Sequence, residues 1–257
     1  AGIPAPTIYQ WQVSTDGGTT YTDISGAISA TYNVTAATAL SGYRYRVIIT
    51  SATCATPSTS DAALLTVNEL PAITAQPASA TLCAGSDNTF TAAATGTAIG
   101  YQWQVSTDGG VSFSNITGAT NPTYTVTGAL AAQNCYQYHV VVSGTCTPSA
   151  TSADVTLNVV SPETVTAQPA NTAVCDGSNA SFTVAGSGVA TIYQWQVSTD
   201  GGTSYTNITG ANSATLALTG LTTASNGYLY QALLSNSTCT TPAVSSAALL
   251  TINALPA

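Results

Sequence analysis

The chain has 257 residues, 44% of them hydrophobic, which is room for two or three ordinary domains with real cores. Only 5% are charged, against about 25% in an average soluble protein, and the net charge is −8. Arg44 and Arg46 are the sole Lys or Arg residues, so no cation cluster exists to displace the counterions of nucleic acid or to hold an anionic membrane surface. No apolar run is long enough for a membrane span, and no signal peptide is visible. Methionine is absent, which reads as a processed product or a fragment of something longer.

The first recognisable element begins at Tyr9 with "YQWQVSTDGG", and the same ten residues return at Tyr101 and Tyr193. Trp11, Trp103 and Trp195 are thus 92 residues apart, as are Ile24, Ile116 and Ile208. Cys83 returns as Cys175 and Phe90 as Phe182. Near the end of each unit the register slips by one residue, at Cys54, Cys146 and Cys239. A period of 92 is too long for a solenoid repeat and suits a whole small domain. The units meet at "VNELPAITAQP" (67–77) and "VVSPETVTAQP" (159–169), giving domains 1–70, 71–161 and 162–257. The first is expected to lack roughly its first 20 residues, either as a fragment boundary or with another chain supplying those strands.

In the middle unit, residues 88–95, 101–106, 123–127, 136–142 and 154–160 alternate apolar and polar and are rich in Thr, Val and Tyr. Period-2 alternation predicts strands with one buried face, and Gly, Asn, Asp and Pro between them predict turns. About seven short strands in such a unit predict a β-sandwich. A tryptophan on the third strand and a tyrosine two residues before an apolar position (Tyr45, Tyr138, Tyr230) resemble the immunoglobulin pattern. The fold expected is all-β: tandem immunoglobulin-like antiparallel β-sandwiches arranged end to end. The usual inter-sheet cysteines are missing, and the pairs Ala92/Val140 and Val184/Ala232 stand in their places.

The cysteines sit elsewhere. Cys83 precedes the second strand and Cys146 lies in the last loop, two places expected to meet at one end of a sandwich. The expected pairs are therefore Cys83–Cys146 and Cys175–Cys239, each closing a loop of about 60 residues and contributing on the order of 4 kcal/mol. No CxxC or Cys/His cluster suggests a metal. Structural disulfides imply an oxidising compartment, extracellular or periplasmic, and the location expected is the extracellular cell surface. Cys54 would find its mate outside this sequence. Cys135, aligned with Gly42 and Gly227, reads either as a free thiol or as an inter-subunit bridge, for instance to Cys54 of a neighbour.

"STDGGTTY" (14–21) carries hairpin chemistry and resembles an Asp-box, with Asp16, Asp108 and Asp200 as turn staples. Calcium or glycan contact at these tips is the alternative. His139 is expected to point outward from its strand, opposite to Tyr138 and Val140, as an exposed side chain. The acids are spread singly, Glu69 and Glu163 in linkers, so no pair is placed for acid–base work. No catalytic residues, cofactor or metal are expected.

The combination from "LPAITAQPASATLCAGSDNTF" through "YQWQVSTDGG" to "TSADVTLNV" resembles the Ig-like repeats of very long bacterial cell-surface proteins, including the giant adhesins of gliding bacteria. The resemblance covers essentially the whole chain. It implies a non-catalytic segment of a stalk, adhesin or filament on the cell surface. Copies of itself or adjacent repeats of a longer chain would be its partners, with surface glycans as a further possibility and neither nucleic acid nor membrane insertion involved. The alternative is a glycan-binding module or an accessory region of a secreted enzyme.

Overall fold

The computed structural model describes residues 7–51, 56–188 and 190–255. Contacts divide the chain into two compact units: residues 1–76, 92–102 and 140–152, and residues 77–91, 103–139 and 153–257. The division runs through the middle repeat.

The first repeat holds β1 (Thr7–Ser14), β2 (Thr22–Asp23), β3 (Arg44–Ser51), β4 (Ser58–Thr59) and β5 (Ala63–Leu64). The second holds β6 (Ala72–Ala75), β7 (Ala80–Cys83), β8 (Asn88–Thr91), β9 (Ala93–Thr95), β10 (Gly100–Ser106), β11 (Ser114–Asn115), β12 (Thr123–Val126), β13 (Tyr136–Ser143), β14 (Ala150–Thr151) and β15 (Val155–Val160). The third repeats that order as β16 (Val165–Ala167), β17 (Thr172–Cys175), β18 (Ala180–Thr183), β19 (Ala185–Gly186), β20 (Ile192–Ser198), β21 (Thr206–Asn207), β22 (Thr215–Leu218), β23 (Leu229–Ser235), β24 (Ala243–Val244) and β25 (Ala248–Asn253). The fold is all-β, and each of the last two repeats is an Ig-like sandwich.

In the third repeat the large sheet runs β17-β25-β23-β20-β21, with β24 on β23, and β18-β22 and β16-β19 form the opposite face. Alternation sends one side of each strand inward: Phe182, Trp195, Leu216, Tyr230, Ala232, Leu234 and Leu250 form one core. Each large apolar side chain buried this way contributes roughly 1.5–3 kcal/mol. Trp195 is fully buried, and its indole Nε1 donates to the Ser213 carbonyl at 2.9 Å, so its polar atom carries no desolvation penalty. The middle repeat has the matching order β11-β10-β13-β15-β7 and the same aromatic centre, with Phe90 4.9 Å from Tyr138. Residues 88–95, read as one strand, divide at Ala92 into β8, which pairs with β12, and β9, which pairs with β6. Ala92, Val140, Val184 and Ala232 are all buried, filling the positions where inter-sheet cysteines would stand.

The first repeat differs. β1 pairs with β3 over eight residues, Trp11 opposite Val47, but its described residues form a single sheet. Residues 31–34 align with β12 and β22 yet run without strand pairing, and Val34 is exposed where Val126 is buried. Trp11 is half-buried, whereas Trp103 and Trp195 are fully enclosed.

The expected disulfides are corrected by strand register. β7 and β17 run parallel to the last strand of their repeats, with Val160 opposite Cys83 and Asn253 opposite Cys175. In the third repeat β25 is antiparallel to β23, Ala248 facing Tyr230, so Cys175 lies beyond the start of β23 while Cys239 follows its end. About ten residues of strand separate those points, some 30 Å, whereas a disulfide needs Cα atoms within about 7 Å. Cys175 therefore cannot reach Cys239, and Cys83 meets the same register in the middle repeat. Cys83 instead bonds Cys239, with Cα atoms 5.1 Å apart. Cys146, Cys175 and Cys135 are free thiols, and Cys54 lies outside the described residues.

Candidate functional site

The repeated Ser-x-Asp-Gly-Gly turn closes on itself. Ser14 Oγ donates to Asp16 at 2.7 Å and accepts the Gly18 N–H at 2.8 Å. Asp16 also takes the Thr20 N–H at 2.9 Å and the Thr20 hydroxyl at 2.6 Å. Gly17 and Gly18 have φ of 76° and 100°, a region that suits glycine, which is why the pair recurs. Asp108 is held likewise by Ser106 at 2.6 Å and the Ser112 N–H at 3.0 Å, and Asp200 by Ser198 at 2.7 Å and Ser204 Oγ at 2.6 Å. These bonds hold all three carboxyls well below the usual carboxylate range, the Thr20 hydroxyl being the largest cause at Asp16, Ser106 at Asp108 and Ser204 at Asp200. Each carboxylate spends its acceptor capacity on its own turn.

A second cluster lies on the outer face of each large sheet. In the middle repeat His139 does point opposite to Tyr138, but it is not exposed. It is 8% accessible because Phe113 stacks on the ring at 3.9 Å between centroids. Its Nδ1 lies 2.7 Å from Asp154 and its Nε2 2.6 Å from Gln104 Oε1, so both ring nitrogens face acceptor oxygens. Arg46 takes this place in the first repeat, bonding Gln12 at 2.8 Å under the Tyr21 ring, and Gln231 takes it in the third, donating to Gln196 at 2.8 Å. In the first two repeats the hairpin aromatic three residues after the glycine pair packs on this side chain, a tertiary contact that strand alternation alone does not disclose. On the inner face, burial is the main force raising the Tyr138 hydroxyl to about 12, and it raises Tyr45, Tyr124 and Tyr230 in the same direction.

The third feature is the junction of the second and third repeats. Asn236 Oδ1 accepts the N–H of Cys239 at 2.6 Å and of Thr238 at 3.1 Å, which shapes the loop, while its Nδ2 donates to the Ser161 carbonyl at 3.1 Å. Cys239 is 2% exposed beneath this contact. Glu163, a linker residue by sequence, is only 6% accessible. It accepts the Gly188 N–H at 2.9 Å and the Thr191 hydroxyl at 3.1 Å. A Cβ at Gly188 would meet its carboxylate, so a side chain there would have to push Glu163 aside. The groove beside it encloses about 430 Å³ and is walled by Pro162, Ala190, Asn236 and Thr238. Among the described residues no group of His, Cys, Asp and Glu is placed to hold a metal. Among the described residues His139 with Asp154 is the one acid–base ion-pair contact, and Phe113 stacks on its ring.

Three successive stretches, 1–69, 72–161 and 164–254, match one protein family, described as a domain of unknown function, DUF8696. The chain belongs to the DUF8696 family. A relative, Endoglucanase C of Cellulomonas fimi, is 36% identical to these DUF8696 repeats over 169 residues, 65% of this chain. The match spans 15% of that enzyme's length. Among solved structures, a three-domain I-band fragment of titin has a TM-score of 0.55 at 13% identity, covering 97% of this chain and 89% of the fragment. The three N-terminal domains of the bacteriophage RB49 highly immunogenic outer capsid protein have a TM-score of 0.50 at 18% identity, covering 98% and 91%. At these identities the likeness establishes the tandem Ig-like fold.

Proposed function

We propose that the three DUF8696 repeats form a non-catalytic extracellular spacer, a segment of a stalk, adhesin or filament that separates other parts of a larger assembly. The observation that carries this reading is the bridge between repeats, Cys83–Cys239, which ties two sandwiches together rather than stapling either one. Such a placement suits a load-bearing series of repeats. The stapled hairpins support it as well, since their exposed carboxylates are already bonded within their own turns. A disulfide and a low-charge Thr- and Ser-rich composition suit an extracellular, oxidising setting.

The match to a portion of an endoglucanase favours a second reading, an accessory region of a secreted polysaccharide-active enzyme. Both are tested by incubating the chain with insoluble cellulose and assaying retention and released reducing sugar. The spacer reading expects neither. Saturable retention without sugar release would replace it with the accessory binding module, and sugar release would overturn the non-catalytic assignment.

A further inference from the structure

Cys83 and Cys175 occupy the same turn, bond for bond. After Cys83, the N–H of Ala84 donates to Val160 at 2.8 Å, that of Gly85 to Ala129 at 2.8 Å and that of Ser86 to Cys83 at 3.1 Å. After Cys175, Asp176 donates to Asn253 at 2.9 Å, Gly177 to Leu221 at 2.7 Å and Ser178 to Cys175 at 3.1 Å. Yet Cys83 is bridged and Cys175 is an exposed thiol. The loop cysteines show the converse. Cys239, in Thr238-Cys239-Thr240 after β23, is bridged and buried; Cys146, in Thr145-Cys146-Thr147 after β13, is a half-buried thiol. Each of these free cysteines is the repeat equivalent of one partner in the bridge that has formed.

We propose that the end of the third repeat bearing Cys175 is a docking surface for a further Ig-like repeat of this family, whose Cys239-type loop closes on Cys175 in a disulfide. Cys146 is the complementary half, receiving a Cys83-type cysteine. The surface continues the pattern of the formed junction. The atom that takes Asn236 there is the backbone carbonyl of Ser161, and Ala254 supplies the same atom in the third repeat. The partner is therefore recognised by its Thr-Cys-Thr loop, with the Asn236-type asparagine as a further contact in copies of the third repeat and Ser143 in its place beside Cys146, and not by a sugar or an ion. These contacts are the same whether the chain is a spacer or an enzyme's accessory region, so their failure would leave the cellulose result standing.

With oxidised glutathione as the oxidant, the Cys175 thiolate attacks one glutathione sulfur and releases a first glutathione thiolate. The loop thiolate of the docked repeat then attacks the Cys175 sulfur and releases the second. One protein disulfide forms, glutathione disulfide is reduced to two thiols, and the two cysteine protons pass to them.

The test appends a second copy of residues 165–257 directly after Ala257, which keeps the linker length of the existing junction. The chain is refolded in a glutathione couple, alkylated, digested with pepsin and mapped without reduction. The expected result is a bridge from Cys175 to the appended loop cysteine in a yield equal to Cys83–Cys239. An appended loop cysteine that stays alkylated while Cys83–Cys239 forms would overturn the proposal. The unextended chain supplies a second readout that does not depend on the appended repeat folding. At high concentration in the same couple it should give covalent oligomers that vanish in Cys175→Ser and persist in Cys135→Ser. Oligomers that depend on Cys135 alone, or none while Cys83–Cys239 forms, count against it.

Discussion

Cys83 and Cys239 are 156 residues apart in sequence and 5.1 Å apart at their Cα atoms. The bridge joins the turn after β7 of one sandwich to the last loop of the next, so its cross-link acts on the junction. Closing so long a loop restricts the unfolded chain by on the order of 5 kcal/mol. Cys239→Ser should leave the strand content unchanged by circular dichroism, lower the thermal midpoint and open the 161–164 linker to a broad-specificity protease. A linker equally protected with and without the bridge would show that Asn236 and Glu163 alone hold the junction.

Asp16, Asp108 and Asp200 give the chain an acid-side limit. Their folded pKa values lie below the unfolded one, so the stability they add is fully present above the unfolded value of about 3.9 and is lost as pH falls toward the folded values. Asp108→Asn should therefore destabilise the chain more at pH 7 than at pH 2, the difference shrinking further as pH falls through the folded value. Urea melts at the two pH values check this; an equal loss at both would assign the effect to geometry rather than charge.

Cys135 carries a φ of 67°, left-handed for a residue with a Cβ, while the aligned Gly42 and Gly227 have φ of 91° and 89°. Cys135 and Gly227 donate their N–H at 2.9 Å to the last strand and Gly42 at 2.9 Å to Leu65 just after β5, so the conformation is fixed by the turn and not by the side chain. Cys135→Gly should relieve roughly 1 kcal/mol of strain and raise the thermal midpoint by a few degrees. Cys135→Ala, which retains the Cβ, should not.

Gly188→Ala places a methyl group against the buried Glu163 carboxylate. Overpacking of this kind costs typically 1–3 kcal/mol, and here it also displaces the Gly188 N–H from its acceptor. A lowered thermal midpoint is expected, with slower formation of the Cys83–Cys239 bridge on refolding. Unchanged kinetics would mean the loop finds Cys83 without the Glu163 contact.

Most of the sandwich was legible from alternation: 101–106, 123–127 and 136–142 agree with β10, β12 and β13 to within a residue. The cysteine pairing was not. "ATLC" (80–83) is too short for periodicity to reveal that it lies parallel to β15, and that register decides which end of the sandwich Cys83 occupies. His139 was placed on the correct face, but its burial depends on Phe113, which reaches it from a neighbouring hairpin. Glu163 resembled a linker acid because its partners, Gly188 and Thr191, come from a loop some 25 residues later whose backbone N–H leaves no mark in composition. The strain at Cys135 could have been read from the sequence, since two glycines at its aligned positions already signal a left-handed turn.

The parallel pairs β7–β15 and β17–β25 have a mechanical consequence. In the second and third repeats an early strand and the final strand lie side by side, pointing the same way over four paired residues. Tension along the polypeptide drags one strand backward and the other forward. Their hydrogen bonds are then sheared together, sharing the force, instead of being unzipped one after another. The cysteine that ends β7 is anchored in the next repeat, so part of a pull on the second sandwich bypasses its core and passes through a covalent bond.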